Sequence, residues 1–361
     1  MSRRPSVLLA LAIALSAPGI SWLIWHEPDH TRTATLVSDA YRLDKIYRSM
    51  QGPMSIASGI HLAAADNNKC PVQWITGMKT EVVDAANQAP VSQEFFCHSN
   101  LTFAEHAGTP EQYNRELGGK THLDWRLFTL VPGRLSIQLP PGFGVPVPAD
   151  APLDYVTMSL NLNKRKEVVN VRMRTKLETI AGDEPGAPTK ALFRRALYVL
   201  DSHGVSSDMA CTMKSATEHV GAACAEMSNV MPVGLTEKSG EHLMNHWIVP
   251  PGRHVYKTEI TNQLNLPFDT TVHYATIHVH PFARAMELRD LTTGKTVFSL
   301  KSQDWPDRIG VAHVEEFKST DGVQIFRNHR YELTAEYDNT SGTTTDAMAI
   351  LYLYLLEKDL S

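Results

Sequence analysis

Apolar and polar residues alternate along most of this chain, with the two-residue period of strands that bury one face. The runs that carry the alternation are VQWITGMKTEVV, EFFCHSNLTF, RLSIQLP, YVTMSLNLN, EVVNVRMRTKLETI and ALFRRALYVLD in the first half. After an interruption come HVYKTEITNQ, TVHYATIHVH, ARAMELRDL, KTVFSLKS, YELTAEYDN and MAILYLYLLEK. Turn-forming clusters separate them, among them LPPGFG, VPPGR, TTGK and YDNTSG,. The pattern predicts an all-β fold: two tandem antiparallel β-sandwich domains of jelly-roll-like type. Their expected bounds are 70–195 and 196–361, the second carrying an insertion at 203–245. A segment from Thr33 to Ala65, containing VSDAYRLDKIYRSM, reads as partly helical and falls in an N-terminal extension of residues 26–69. No internal repeat stands out.

The first 25 residues are different. MSRRPSVLLALAIALSAPGISWLIW opens with two arginines and then runs apolar. It reads either as a cleaved signal peptide or as an uncleaved signal anchor. Ala14, Ser16 and Ala17 suit cleavage, Pro18 opposes it, and the apolar run is long enough to span a bilayer,. Both readings export the body of the chain, to the periplasm or to its membrane surface. Four cysteines in an exported chain suggest disulfides. The favoured pairing is Cys70 with Cys97 and Cys211 with Cys224, although four cysteines permit three pairings. The net charge of −5, without a basic block, gives no sign of a nucleic-acid partner,.

The chemistry concentrates in VHYATIHVHPFA, residues 272–283. On a strand, His278 and His280 project from the same face about 7 Å apart, a spacing from which two imidazoles can converge on one metal. His273 lies an odd number of residues away, should face the other way, and is left out of the site. Near the C-terminus, GTTTDAMAILYLYL places Met348 on one face with Ile350, Tyr352 and Tyr354. Taken singly, these features read as a solvated face and a core methionine.

Together they resemble the second domain of the copper type II, ascorbate-dependent monooxygenases, the family of peptidylglycine α-hydroxylating monooxygenase and dopamine β-hydroxylase. The resemblance rests on His278-Val279-His280 and on Gly342 through Asp346-Ala347-Met348 with the aromatic strand after it. IVPPGRHVYKTEI and HRYELTAEYDNTSG add to it, and it covers most of 247–356. It implies one catalytic copper on His278, His280 and Met348, an external reductant such as ascorbate, and Tyr352 beside the substrate. Two imidazoles and a thioether form a soft, uncharged set that suits Cu(I). The first half resembles the family's electron-storing domain more faintly. There His98 is present, but its neighbour is Ser99 and the third position is Asn161, so one of three expected ligands remains. The insertion offers substitutes: His203, Met209, Met213, His219, Met227, Met231, His242, Met244 and His246. Of the positions that hold a peptide carboxylate in the relative, Thr276 and Ile350 cannot do so and only Tyr352 survives, which disfavours a peptidylglycine substrate,.

Three functions follow. The first is an exported copper monooxygenase acting on an unidentified small molecule or peptide, with an external electron donor. The second is a non-catalytic copper protein for storage, sensing or delivery. The third is a metal-free sandwich for adhesion or glycan binding. The zincin-like HEPDH of residues 26–30 contains Pro28 and lacks the helix that motif needs,. Asn100 and Asn339 head glycosylation sequons but read as ordinary strand and turn residues.

Overall fold

The structure, a computed structural model, describes residues 30–47, 52–62, 70–104, 108–119, 124–164, 167–202, 235–236 and 242–358. The N-terminal apolar run, Cys211, Cys224 and most of the methionine-rich insertion lie outside these residues.

The fold is all-β, with jelly-roll-like sandwich sheets. One large sheet crosses the molecule. Its main path runs Arg32–Val37, Val169–Ala181, Val72–Asp84, Phe143–Pro148, Lys190–Tyr198, Ala349–Leu356, Thr270–Val279 and Glu316–Ile325. Neighbours along it are antiparallel except at one joint, where Lys190 and Ala191 pair in parallel with Phe143 and Gly144. A four-stranded sheet (Met54–Ile60, Leu153–Ser159, Phe96–Phe103, Arg126–Leu130) and a five-stranded sheet (Gly252–Glu259, Tyr331–Asn339, Ala283–Asp290, Lys295–Asp304, Val311–Val314) complete the sandwiches.

Alternation decides which residues fill which core. On Thr270–Val279 and Ala349–Leu356, the residues Ala275, Ile277, Val279, Leu351 and Leu353 enter a C-terminal core with Leu288, Leu333 and Trp247. Their neighbours Tyr274 and Tyr354 turn the other way, into an N-terminal core with Phe128, Phe143, Tyr155 and Leu177. The two smaller sheets therefore cover opposite faces of the large one. The second face of the central strands is buried too, which is why MAILYLYLL reads as nearly continuous apolar sequence,.

Two expectations about elements fail. The segment expected to be partly helical forms strands Arg32–Val37, Tyr41–Leu43 and Met54–Ile60. Tyr41 and Leu43 are buried while Arg42 between them is exposed, a period of two that the helical reading overlooked,. The Cys70–Cys97 disulfide is also absent: both are free, buried thiols. Cys70 precedes a strand of the large sheet and points its Sγ at Val72 O, 3.3 Å away. Cys97 belongs to the four-stranded sheet. Facing sheets pack about 10 Å apart, beyond the Cα separation a disulfide allows.

Candidate functional site

The His-bearing strand Thr270–Val279 lies between Glu316–Ile325 and Ala349–Leu356. His278 pairs with Ile350, and His280 donates its backbone N–H to Met348 O at 3.3 Å. The same carbonyl accepts from Tyr337 Oη at 2.8 Å. Met348 thus sits at the break between strands Thr345–Ala347 and Ala349–Leu356, abreast of His280. On its other side Trp247 pairs with Ala347 and Ile248 with Asp346, so one more step of that ladder places His246 opposite Met348. Three chain segments, distant in sequence, bring His246, Met348 and His280 into one row.

The imidazoles are close. The ring centres of His278 and His280 are 5.5 Å apart, those of His246 and His280 5.3 Å. His280 Nδ1 lies 3.0 Å from an Asp346 carboxylate oxygen, an ion-pair separation without an aligned hydrogen bond. His278 Nδ1 and His246 Nε2 are buried with no hydrogen-bond partner. A buried polar atom left so costs about 1–3 kcal/mol, and such atoms in a native fold call for an explanation. His278 and His280 line a cavity of about 70 Å³ together with Cys97, Leu160, Trp305 and Asp346. The cavity lies where the end of the four-stranded sheet meets the outer face of the central strands.

The electrostatics keep His278 and His246 neutral. Burial pushes His278 well below the usual imidazole range, helped by His280, His98 and His246. His246 is pushed down to about 3 by burial and His280, with Asp346 opposing. Burial works to raise the Asp346 carboxyl, but His280 and His246 beside it hold it below the ordinary range. Burial and the Asp346 charge push the Cys97 thiol up to about 12, so it is a protonated thiol. Neutral imidazoles bring their lone pairs to a cation without a proton to displace.

The other residues singled out from the sequence fall elsewhere or take structural roles. His98 faces away from the N-terminal core, is pushed down to about 3 by burial and by Arg126, and contributes to the field at His278. Its neighbour Ser99 points inward, 3.4 Å from the Tyr155 hydroxyl. Asn161, at the expected third ligand position of that half, donates its amide to Lys45 O at 2.8 Å. Tyr352 is buried under the Arg194 guanidinium, 4.4 Å from its ring centre, and pairs across the ladder with Thr276. It does not line the cavity that holds His278 and His280. His273 stays out of the site, though not by simple alternation. A bulge at Val272–Tyr274 turns it toward Phe143, with ring centres 4.2 Å apart, and Thr271 and Ser319 O hold its nitrogens at 2.7 and 3.0 Å. His246 was legible only as one of nine histidines and methionines in and just after the insertion; the signal that singles it out is pairing of Trp247 with Ala347.

These findings correct the family expectation. Among the described residues no three His, Cys, Asp or Glu side chains are placed to hold a metal ion as they stand. The copper monooxygenase assignment and the Cys70–Cys97 disulfide are not supported. No family model matches the chain, and no curated protein does. Solved structures that align with it include viral proteins and plant vicilins. The major capsid protein P2 of bacteriophage PM2 aligns at 10% identity over 90% of this chain and 98% of that one, with a TM-score of 0.31. The subviral particle of infectious bursal disease virus VP2 aligns at 8% identity over 91% and 72%, with a TM-score of 0.22. Tomato vicilin aligns at 10% identity over 91% and 75%, with a TM-score of 0.16.

Proposed function

We propose that this chain is an exported, non-catalytic protein that binds Cu(I) for storage, sensing or delivery, through His278 and His280 with Met348 beside them. One observation carries the reading: two buried imidazoles on one strand face have ring centres 5.5 Å apart. With each donor nitrogen about 2.0 Å from a shared ion, as for imidazole on zinc, and ligand angles of 109–120°, ring centres fall about 5.1–5.5 Å apart. The unpartnered His278 Nδ1 fits the same reading, since a cation would supply the partner that the protein does not,. A set of two imidazoles and a thioether is soft and uncharged, and it favours Cu(I) over Mg or Ca. The Arg-led apolar run at residues 1–25 supports export,.

The test is anaerobic Cu(I) titration of the full chain against a chromophoric chelator, comparing wild type with His278→Ala/His280→Ala. One tightly bound copper per chain, lost in the variant, is the expected result. Wild type that fails to compete for copper, or a variant that binds as well as wild type, overturns the proposal.

A further inference from the structure

We propose that the cavity beside His278 binds a small uncharged molecule with a carbonyl group, its oxygen accepting a hydrogen bond from Trp305 Nε1 and its short apolar body filling the rest. The inference goes beyond the copper-binding reading and does not need it: it concerns a different polar atom and is tested on the metal-free chain. Both halves of the fold build the cavity. Phe96, Leu160 and Leu162 come from the first, Val279, Trp305 and Val311 from the second. These walls are apolar, and Phe96, Leu160, Val279 and Val311 are buried. An apolar cavity that carries a few polar groups is the common form of a small-molecule site.

Trp305 supplies the polar group. Its Nε1 is buried with no hydrogen-bond partner. A cation held at His278 and His280 leaves this atom as it is, because an indole N–H only donates. What it needs is an acceptor, and a buried donor without one costs stability. Gly310, another wall residue, keeps the edge of that ring uncrowded: a Cβ there would stand 3.2 Å from Trp305 Cδ1 and 3.6 Å from Nε1.

Charge rules out an ion as the occupant. Glu94 and Asp346 line the same cavity, so an anion meets like charge,. A cation finds both carboxylates engaged, Glu94 with Arg308 at 2.9 Å and Asp346 with His280 at 3.0 Å. An uncharged acceptor remains. Size sets the rest. One water needs about 10–15 Å³ of such space, so 70 Å³ takes about five to seven water-sized groups, the bulk of a carbonyl with about four carbons,.

The way in is the turn 305–310, between strands Lys295–Asp304 and Val311–Val314. Trp305, Ile309 and Gly310 line the cavity, yet Ile309 is 45% exposed, so this turn is a wall between cavity and solvent. Polar contacts at the surface fasten it to the first half. Ile309 N–H donates to Asn163 Oδ1 at 3.1 Å, the Asn163 amide donates back to Ile309 O at 2.9 Å, and Arg308 pairs with Glu94. Exposed ion pairs of this kind are weak, so the turn can swing out while both cores stay intact.

The experiment is a titration of the metal-free, 15N-labelled full chain with 2-butanone, followed through the indole N–H signals of its six tryptophans. The Trp305 signal is identified by its loss in Trp305→Phe and, should that variant not fold, by its proximity to Gly310 in wild type. The control molecule is 2-methyl-1-butene, in which a methylidene group replaces the carbonyl oxygen. A saturable shift of the Trp305 signal is expected with 2-butanone, and the control should bind about 2- to 10-fold more weakly, the worth of one hydrogen bond. No saturable shift, as in a cavity that holds only water, overturns the inference, and so does equal affinity for the two molecules. Neither result bears on the Cu(I) titration, which reads His278 and His280.

Discussion

Asp124→Ala tests how the two cores are held together at the strand they share. Arg194, on the strand Lys190–Tyr198 that both cores share, has a side chain only 3% exposed. It donates to the Asp124 carboxylate and, at 3.0 Å, to Thr129 Oγ1, and its guanidinium lies 4.4 Å from the Tyr352 ring centre. Burial works against its charge, and Asp124 is the carboxylate that compensates, holding its pKa above the ordinary guanidinium value. Removing Asp124 leaves a buried cation with a hydroxyl and an aromatic face. Breaking a buried pair from one side costs about 3–5 kcal/mol. The Asp124 side chain is 21% exposed, which places the expected loss near the lower bound, about 3 kcal/mol,. With a urea slope of about 3 kcal/mol per M, the unfolding midpoint falls by about 1 M. Asp124→Ala/Arg194→Met removes the orphaned charge as well and should recover most of the loss, because an apolar pair of similar volume is often neutral in such places. The assay is urea unfolding followed by near-UV circular dichroism and tyrosine–tryptophan fluorescence in parallel. A midpoint shift under about 0.3 M for the single variant, or a double variant worse than the single one, would refute the reasoning.

Three further outcomes follow. Gly322 has φ +73° and a Cβ there would come within 2.8 Å of His273 Cε1, so Gly322→Ala should cost about 1–2 kcal/mol from the left-handed backbone alone, read as a drop in Tm that His273→Ala does not fully reverse,. In the metal-free protein, stability should fall with acidification between pH 6.5 and about 3, because the unfolded chain takes up a proton at His98 that the folded chain refuses,. The slope is up to about 1.4 kcal/mol per pH unit for each such imidazole, and His98→Gln should flatten it by one proton's worth in urea titrations at stepped pH. Asp346→Asn should weaken Cu(I) binding by about 10–100-fold while leaving stoichiometry at one, measured by chelator competition; an unchanged affinity would mean that Asp346 does not orient His280.

Much of the fold was legible in alternation, because a strand with one wet face writes its period of two into the sequence. VQWITGMKTEVV and EVVNVRMRTKLETI both became strands, and they pair with one another. Where tertiary pairing rather than composition makes the element, the reading failed. Tyr41–Leu43 is three residues long and stands only because Val169–Val171 lies beside it. Glu316–Ile325 was missed altogether: its burial pattern is mostly exposed or half-buried, and a register shift interrupts its pairing with the His-bearing strand. In the site, the His278–His280 pair follows from strand periodicity and its juxtaposition with Met348 from a long-range ladder that the motif resemblance anticipated. His246 comes from a third ladder, Trp247 against Ala347, and nothing in its own neighbourhood announces a pairing so distant. Tyr352 and the Cys70–Cys97 pair misled for a related reason. Sequence proximity to a motif says nothing about which sheet, or which face, a side chain joins.

Tyr274 and Tyr354 belong to the N-terminal core although they lie in the last third of the chain, and Tyr354 Oη donates to Leu127 O at 3.0 Å. Synthesis from the ribosome is vectorial, so the first half emerges long before the residues that complete it. Until the final strand is released, Phe128 lacks the tyrosine ring that stands 5.5 Å from its own, and the early half waits as an unfinished template. The N-terminal core of this design is complete only when the last strand is in place.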